Sequence, residues 1–230
     1  MNFLSILHGS LERSSAGSRQ TSQQVISMCR CSGRALFLGD EAVTPLLLKD
    51  AGYTVTAAVA DEVRAQKAAQ AGIDVLSVQR FELPDNSDEY DLLWYNGTVE
   101  FDGAAHRLEQ LKSSCKKGAV VVYRALCWLI EPSPDTRRFC ESRFGKLPQM
   151  DSVLLTAREA GFRTEDFYIA PRTDWTVNYY EPLLNAASEY KSVHGEDAAF
   201  GSGFGELSRE TEMFELHCEE YSYVYYILKG

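Results

Sequence analysis

No apolar run in this chain reaches the ~18 consecutive positions that a membrane-spanning helix requires, so the sequence argues against a membrane partner. Basic residues are also in short supply. Twenty-three Lys and Arg face 33 Asp and Glu, for a net charge of −10, and such a field repels phosphate backbones and disfavours nucleic acid as a partner. The opening Met1-Asn2-Phe3-Leu4-Ser5-Ile6-Leu7 is short and lacks the basic flank of a secretory signal, so the sequence reads as cytoplasmic. Close-spaced cysteines are nearly absent. Of the six, only Cys29 and Cys31 are neighbours, and a single Cys-x-Cys supplies too few ligands for tetrahedral zinc. Reduced thiols and no metal are therefore expected. Internal repeats and low-complexity tracts are missing too. What remains is 45% apolar and 24% charged residues over 230 positions, the make-up of a globular chain with one continuous core.

From residue 35 onward, apolar runs alternate with amphipathic stretches, the signature of βαβ units and a parallel sheet. Strands are predicted over residues 35–38, 53–59, 74–78, 91–95, 119–123, 162–170 and 221–228. Helices are predicted over 20–28, 42–50, 61–70, 101–115, 151–160, 174–190 and 208–219, several stopped by glycine at 52, 72 and 161. Pro84-Asp85-Asn86-Ser87 makes a turn, residues 125–150 with their three prolines read as an insertion over the strand ends, and 195–205 read as a glycine-rich loop. The sequence thus predicts a single domain over 1–230 of α/β class, with a lid segment over 1–30. Its sheet is doubly wound, seven-stranded and mostly parallel, and the C-terminal strand is its antiparallel edge. Four tyrosines between Tyr221 and Tyr226 would lie on that edge, and an edge free of charge is a pairing surface, so a homodimer is expected there.

Ligands of a doubly wound sheet sit beyond the carboxyl ends of the strands, at the switch in strand order. The residues just past those ends are Gly39-Asp40-Glu41, Ala60-Asp61, Arg80-Phe81 and Asn96-Gly97. Two acids follow Gly39 where a dinucleotide loop would carry glycine, and they already complement the helix N-terminus. NAD and FAD are disfavoured. The bland account of the same residues is a turn with an acidic cap. Trp175 and Tyr179 stand at i and i+4 on one helix face, beside Tyr180. These three aromatics form either a core seam or, through a tyrosine hydroxyl, a surface that orients a small substrate. His8 reads as a surface or capping residue in preference to a general base.

The motif order carries a resemblance. It runs from Ser15-Ala16-Gly17-Ser18 through the strand and turn at Gly39, then Asp91-Leu92-Leu93, Trp94-Tyr95-Asn96-Gly97-Thr98-Val99-Glu100-Phe101 and Lys117-Gly118-Ala119-Val120-Val121. It continues with Ala160-Gly161-Phe162, Trp175-Thr176-Val177-Asn178-Tyr179-Tyr180-Glu181-Pro182-Leu183 and Tyr221-Ser222-Tyr223-Val224-Tyr225-Tyr226-Ile227. Over about residues 8 to 229 this resembles class I S-adenosylmethionine-dependent methyltransferases, and within them a bacterial branch of the ubiquinone/menaquinone-biosynthesis type. The resemblance implies a Rossmann-like fold, S-adenosyl-L-methionine as cofactor, and a small-molecule methyl acceptor in a pocket near Trp175, Tyr179 and Tyr180. It also implies cofactor contacts from Gly39, Asp40, Glu41, Ala60, Asp61, Arg80, Phe81, Asn96 and Gly97. The sulfonium would meet Asp40, Glu41, Trp94 and Tyr95, and the adenine would lie on Phe81. A Gly39→Arg change would then abolish cofactor binding and leave the fold intact.

The motif is degenerate. Phe37 stands where the family ends its first strand on an acid, Glu41 and Val43 replace two of its glycines, Val59 holds the ribose-acid position with Asp61 two residues on, and Arg80 replaces a third acid. A non-catalytic or repurposed methyltransferase-like protein, binding another ligand or a partner, is the alternative the residues leave open.

Overall fold

The computed structural model describes residues 3–59, 61–76, 83, 89–97, 104–195 and 198–230. Among them, the parallel strands are β1 (Arg34–Gly39), β2 (Thr54–Val59), β3 (Asp74–Leu76), β4 (Leu92–Asn96) and β5 (Val120–Trp128). They pair parallel in the order β3-β2-β1-β4-β5. The intervening helices are α3 (Val43–Asp50), α4 (Glu62–Gln70) and α5 (Ala104–Ser114). Asp61 caps α4 by accepting the Arg64 N–H at 2.8 Å, as an aspartate at N-cap does.

Alternation along the strands sorts the core into two layers. Phe37, Trp94, Val122 and Tyr225 join one face of the sheet. Leu36, Leu38, Leu93, Val121 and Tyr226 join the other.

After β5 come α6 (Pro134–Phe144), α7 (Met150–Glu159), β6 (Arg163–Ile169) and, last in the chain, β7 (Tyr221–Lys229). The final strand is antiparallel, as expected, but it is not the edge. It lies between β5 and β6 and bonds both. Its residues from Tyr221 to Leu228 are all buried, whereas β6 is polar and almost wholly exposed, so burial on two flanks goes to the apolar strand. The expected tyrosine edge for a homodimer therefore has both ladders already filled.

Three further expectations change. Residues 125–128 extend β5 and do not begin an insertion; the excursion starts after Trp128, and its helix α6 is capped by Ser133 with Pro134 in the first turn. The predicted helix over 174–190 is broken into α8 (Arg172–Trp175), a π-helical turn over Thr176–Tyr180 and α9 (Glu181–His194). The predicted glycine-rich loop is largely helical, because α10 runs over Ala198–His217. A Cβ at Gly203 would meet Phe3 Cδ1 at 2.3 Å, so this glycine permits close approach of the N-terminal helix α1 (Phe3–Ser10). Residues 11–18 then cross the carboxyl ends of the strands to reach α2 (Arg19–Met28), capped by Ser18. No helix among the described residues is long and apolar enough to cross a membrane.

Candidate functional site

Strand order reverses between β1 and β4, and the carboxyl ends of β1, β2 and β4 converge there. Gly39 is required by this convergence, since a Cβ on it would stand 2.5 Å from Phe37 Cζ and 2.8 Å from Asn96 Cβ. Phe37 is fully buried and cannot retreat. Gly39→Arg would therefore disturb the fold itself, contrary to the sequence expectation. Asp40 accepts the Asp61 N–H at 3.1 Å and faces Arg64 Nη1 at 3.5 Å, while Asp61 Oδ2 lies 3.4 Å from the same guanidinium. Burial pushes the Asp40 carboxyl above its ordinary range, and the Arg64 charge opposes this only in part. Asp40 and Asp61 are thus brought together around Arg64, with Asn96 beside Gly39.

Glu41 behaves differently. It is 2% exposed and turned inward, where it forms an ion pair with Arg13 at 2.5 Å and accepts hydrogen bonds from Thr44 Oγ1 (2.5 Å) and Asn96 Nδ2 (3.2 Å). Arg13 also donates to Ser22 Oγ (3.0 Å) and the Ser18 carbonyl (3.2 Å), so the segment over 11–18 is fastened to the end of β1. A second buried arginine fastens it to β5. Arg124 donates to Ser15 Oγ at 3.1 Å and to the Ala16 carbonyl, with its guanidinium 3.4 Å above the Tyr223 ring. Sequence reasoning missed both arginines. Arg124 was the more findable, as a lone charge inside Val120-Val121-Val122-Tyr123-Arg124-Ala125-Leu126. Asn96 Oδ1 is buried without a hydrogen-bond partner. Trp94 lies wholly in the core and Tyr95 stacks on Tyr123. The readings for Ala60, Arg80 and Phe81 fall outside the described residues, as do the turn at Pro84 and the end of the third strand.

Trp175, Tyr179 and Tyr180 pack together through the π-helical turn, with Trp175 within 6.2 Å of both tyrosine ring centres. Short π-helical turns often mark functional positions. Trp175 Nε1 donates to Ser222 Oγ at 3.0 Å, and Tyr180 donates to Glu210, itself paired with Arg143 at 2.6 Å. The core-seam account thus fits Trp175 and Tyr180. The Tyr179 hydroxyl meets His8 Nε2 at 3.0 Å, so His8 is a half-buried contact between α1 and the π-helical turn.

Burial, aided by the Arg143 and Arg64 charges, lowers the His8 pKa to about 4. Unfolded, His8 returns to its ordinary 6.5, so between those values the unfolded chain binds more protons. Stability is therefore unaffected by this group above pH 6.5 and falls as pH drops toward 4, by about 3 kcal/mol at most. Urea unfolding at pH 7, 6, 5 and 4.5 should show His8→Gln losing less stability than the natural chain across that window.

No family model matches the chain, and no curated protein matches it. Solved structures do share its fold over the full length, and several are methyltransferases. One is an S-adenosylmethionine-dependent methyltransferase from Thiobacillus denitrificans in complex with S-adenosyl-L-homocysteine (TM-score 0.82, 15% identity, 99% of each chain). Another is its counterpart from Geobacter sulfurreducens, also with S-adenosyl-L-homocysteine (TM-score 0.80, 14% identity, 97% of this chain and 96% of that one). The [4+2]-cyclase SpnF shares the fold as well (TM-score 0.70, 14% identity, 92% and 80%). At these identities the likeness is one of fold.

Proposed function

We propose that the chain is an S-adenosylmethionine-dependent methyltransferase acting on a small molecule. The observation that carries this reading is the whole-length likeness to two chains holding S-adenosyl-L-homocysteine. The local chemistry agrees, because the switch point offers oxygen acceptors to a cation: the orphaned Asn96 Oδ1, the quarter-exposed Asp40 carboxylate and Asp61. Asp61 and Asp40 would hold the ribose and the charged part of the cofactor, with Asn96 beside them. When bound, the cofactor supplies a methyl carbon activated for in-line displacement by a neighbouring sulfonium. The chain's own contribution is alignment and exclusion of water, for which the fastened segment over 11–18 is placed. Glu41 takes no part, being committed to Arg13.

The finer placement beside the ubiquinone/menaquinone-type branch rests on the segments Trp94–Phe101, Trp175–Leu183 and Tyr221–Ile227. A cytoplasmic single domain, closed by a lid over 1–30 and the excursion after Trp128, with no nucleic-acid or membrane partner, completes the proposal. A repurposed domain is the second reading. It is favoured by one observation, the buried Glu41–Arg13 pair in the turn where the family keeps glycine, and SpnF carries a cyclase on the same fold.

Calorimetric titration with S-adenosylmethionine and S-adenosylhomocysteine tests the proposal. Micromolar dissociation, about −8 kcal/mol, is expected; no heat at millimolar ligand would overturn it in favour of the repurposed domain. Asp61→Asn sharpens the test, because asparagine caps a helix as well as aspartate does and the buried Arg64 keeps Asp40 and the His8 carbonyl as partners. Cofactor affinity should drop about tenfold or more, the loss of a charged hydrogen-bond acceptor, with the unfolding midpoint moved by under about 2 °C.

A further inference from the structure

With β7 in the interior, the edge of the sheet beside it is β6. Its first half is unsuited to adding a strand. A bulge interrupts the register between Thr164 and Asp166, and Arg163 pairs with Glu165 there, two devices that blunt sheet edges. Beyond the bulge, Phe167 stands opposite Tyr226 and Ile169 opposite Val224, on the sheet face that α7 covers with Val153 and Ala157. That cover stops short of the edge. Phe167, Ile169 and, on α7, Leu155 are 41%, 37% and 47% exposed, and between α7 and β6 runs a groove of about 760 Å³ lined on the strand side by Phe162, Thr164 and Phe167 together with the charged Arg163, Glu165 and Asp166.

The polar residues on the groove's helical rim decide what fits it. Asp151, Leu155 and Arg158 all line the groove and recur at i, i+4 and i+7, one face of the helix. Asp151 and Arg158 are exposed, and neither makes an ion pair within the described chain. They are equally spaced about Leu154 and Leu155, so an antiparallel copy of α7 laid across that midpoint sets Asp151 against the partner's Arg158, and Arg158 against the partner's Asp151. Self-complementarity of this kind defines a two-fold interface. We propose that the α7–β6 groove binds a second copy of this chain, each Leu155 entering the other's groove between the two reciprocal ion pairs.

Sedimentation equilibrium of the whole chain at about 1 to 100 µM and low salt should show a species of twice 25.8 kDa. Asp151→Arg and Arg158→Asp each set like charges across the axis twice, and each should weaken dimerisation by about tenfold or more. The double variant Asp151→Arg/Arg158→Asp should restore it, and Leu155→Glu should give a monomer with unchanged circular dichroism. A monomer at every concentration would overturn the proposal. So would a dimer indifferent to Leu155→Glu or unrestored by the double reversal, which would point to another face. None of these residues lies near the switch point, so the result is independent of cofactor binding.

Discussion

Arg13→Met should lower the free energy of unfolding by about 3 to 5 kcal/mol, the range for removing one partner of a buried ion pair. The cause is the carboxylate left behind. Glu41 is 2% exposed and Arg13 9%, so the substitution leaves a carboxylate in the interior with hydrogen bonds from Thr44 and Asn96 and no ion-pair partner in contact. Ser22 and the Ser18 carbonyl lose their donor as well. Urea unfolding of the single variant, of Glu41→Gln and of the double variant closes the cycle. The double variant should recover much of the loss, because a buried pair contributes little net stability once both charges are gone. A cost below about 1 kcal/mol for Arg13→Met, typical of exposed pairs such as Arg138–Asp135, would show that water reaches Glu41 and that residues 11–18 are not held on β1 as described.

The same pair shows where sequence reading stopped. The parallel strands were legible because strands buried on both faces are dense in β-branched and aliphatic residues, and Val120-Val121-Val122 or Leu36-Phe37-Leu38 admit little else. Asp61 was legible as the start of a helix, and its capping bond to the Arg64 N–H came from the structure. Glu41 was not, since its fate depends on Arg13, which is 28 positions away in the chain and carries no periodic signal of its own. The order of strands was equally hidden. The alternation in Tyr221–Leu228 reports that the strand is buried, and nothing in it says whether one neighbour or two will cover its ladders. The helix through Gly201, Gly203 and Gly205 ran against propensity, because glycine disfavours helix by roughly 1 kcal/mol per residue. At Gly203 the tertiary contact with Phe3 overrides that cost.

Trp175→Ala should cost about 3 to 5 kcal/mol, as truncation of a buried aromatic to alanine does. Trp175 is 2% exposed and lies between Phe214 at 4.7 Å and Tyr223 at 5.2 Å, with Tyr179, Tyr180 and Tyr221 around it. Removing it opens a cavity where α10, β7 and the π-helical turn meet, and Ser222 Oγ loses a donor while keeping its own bond to the Ala170 carbonyl at 3.0 Å. Trp175→Phe separates the contributions. It retains most of the ring area and gives up the indole N–H, for about 1 to 2 kcal/mol. Thermal unfolding should rank the natural chain above Phe and Phe above Ala, and near-ultraviolet circular dichroism should lose most of its aromatic signal only in the alanine variant. Because Tyr179 meets both Trp175 and His8, the alanine variant should also loosen α1, and its stability should lose the dependence on pH between 6.5 and 4 that His8 confers. If that pH dependence survives intact, the π-helical turn holds its shape without Trp175, and the aromatic seam is not what positions Tyr179 against His8.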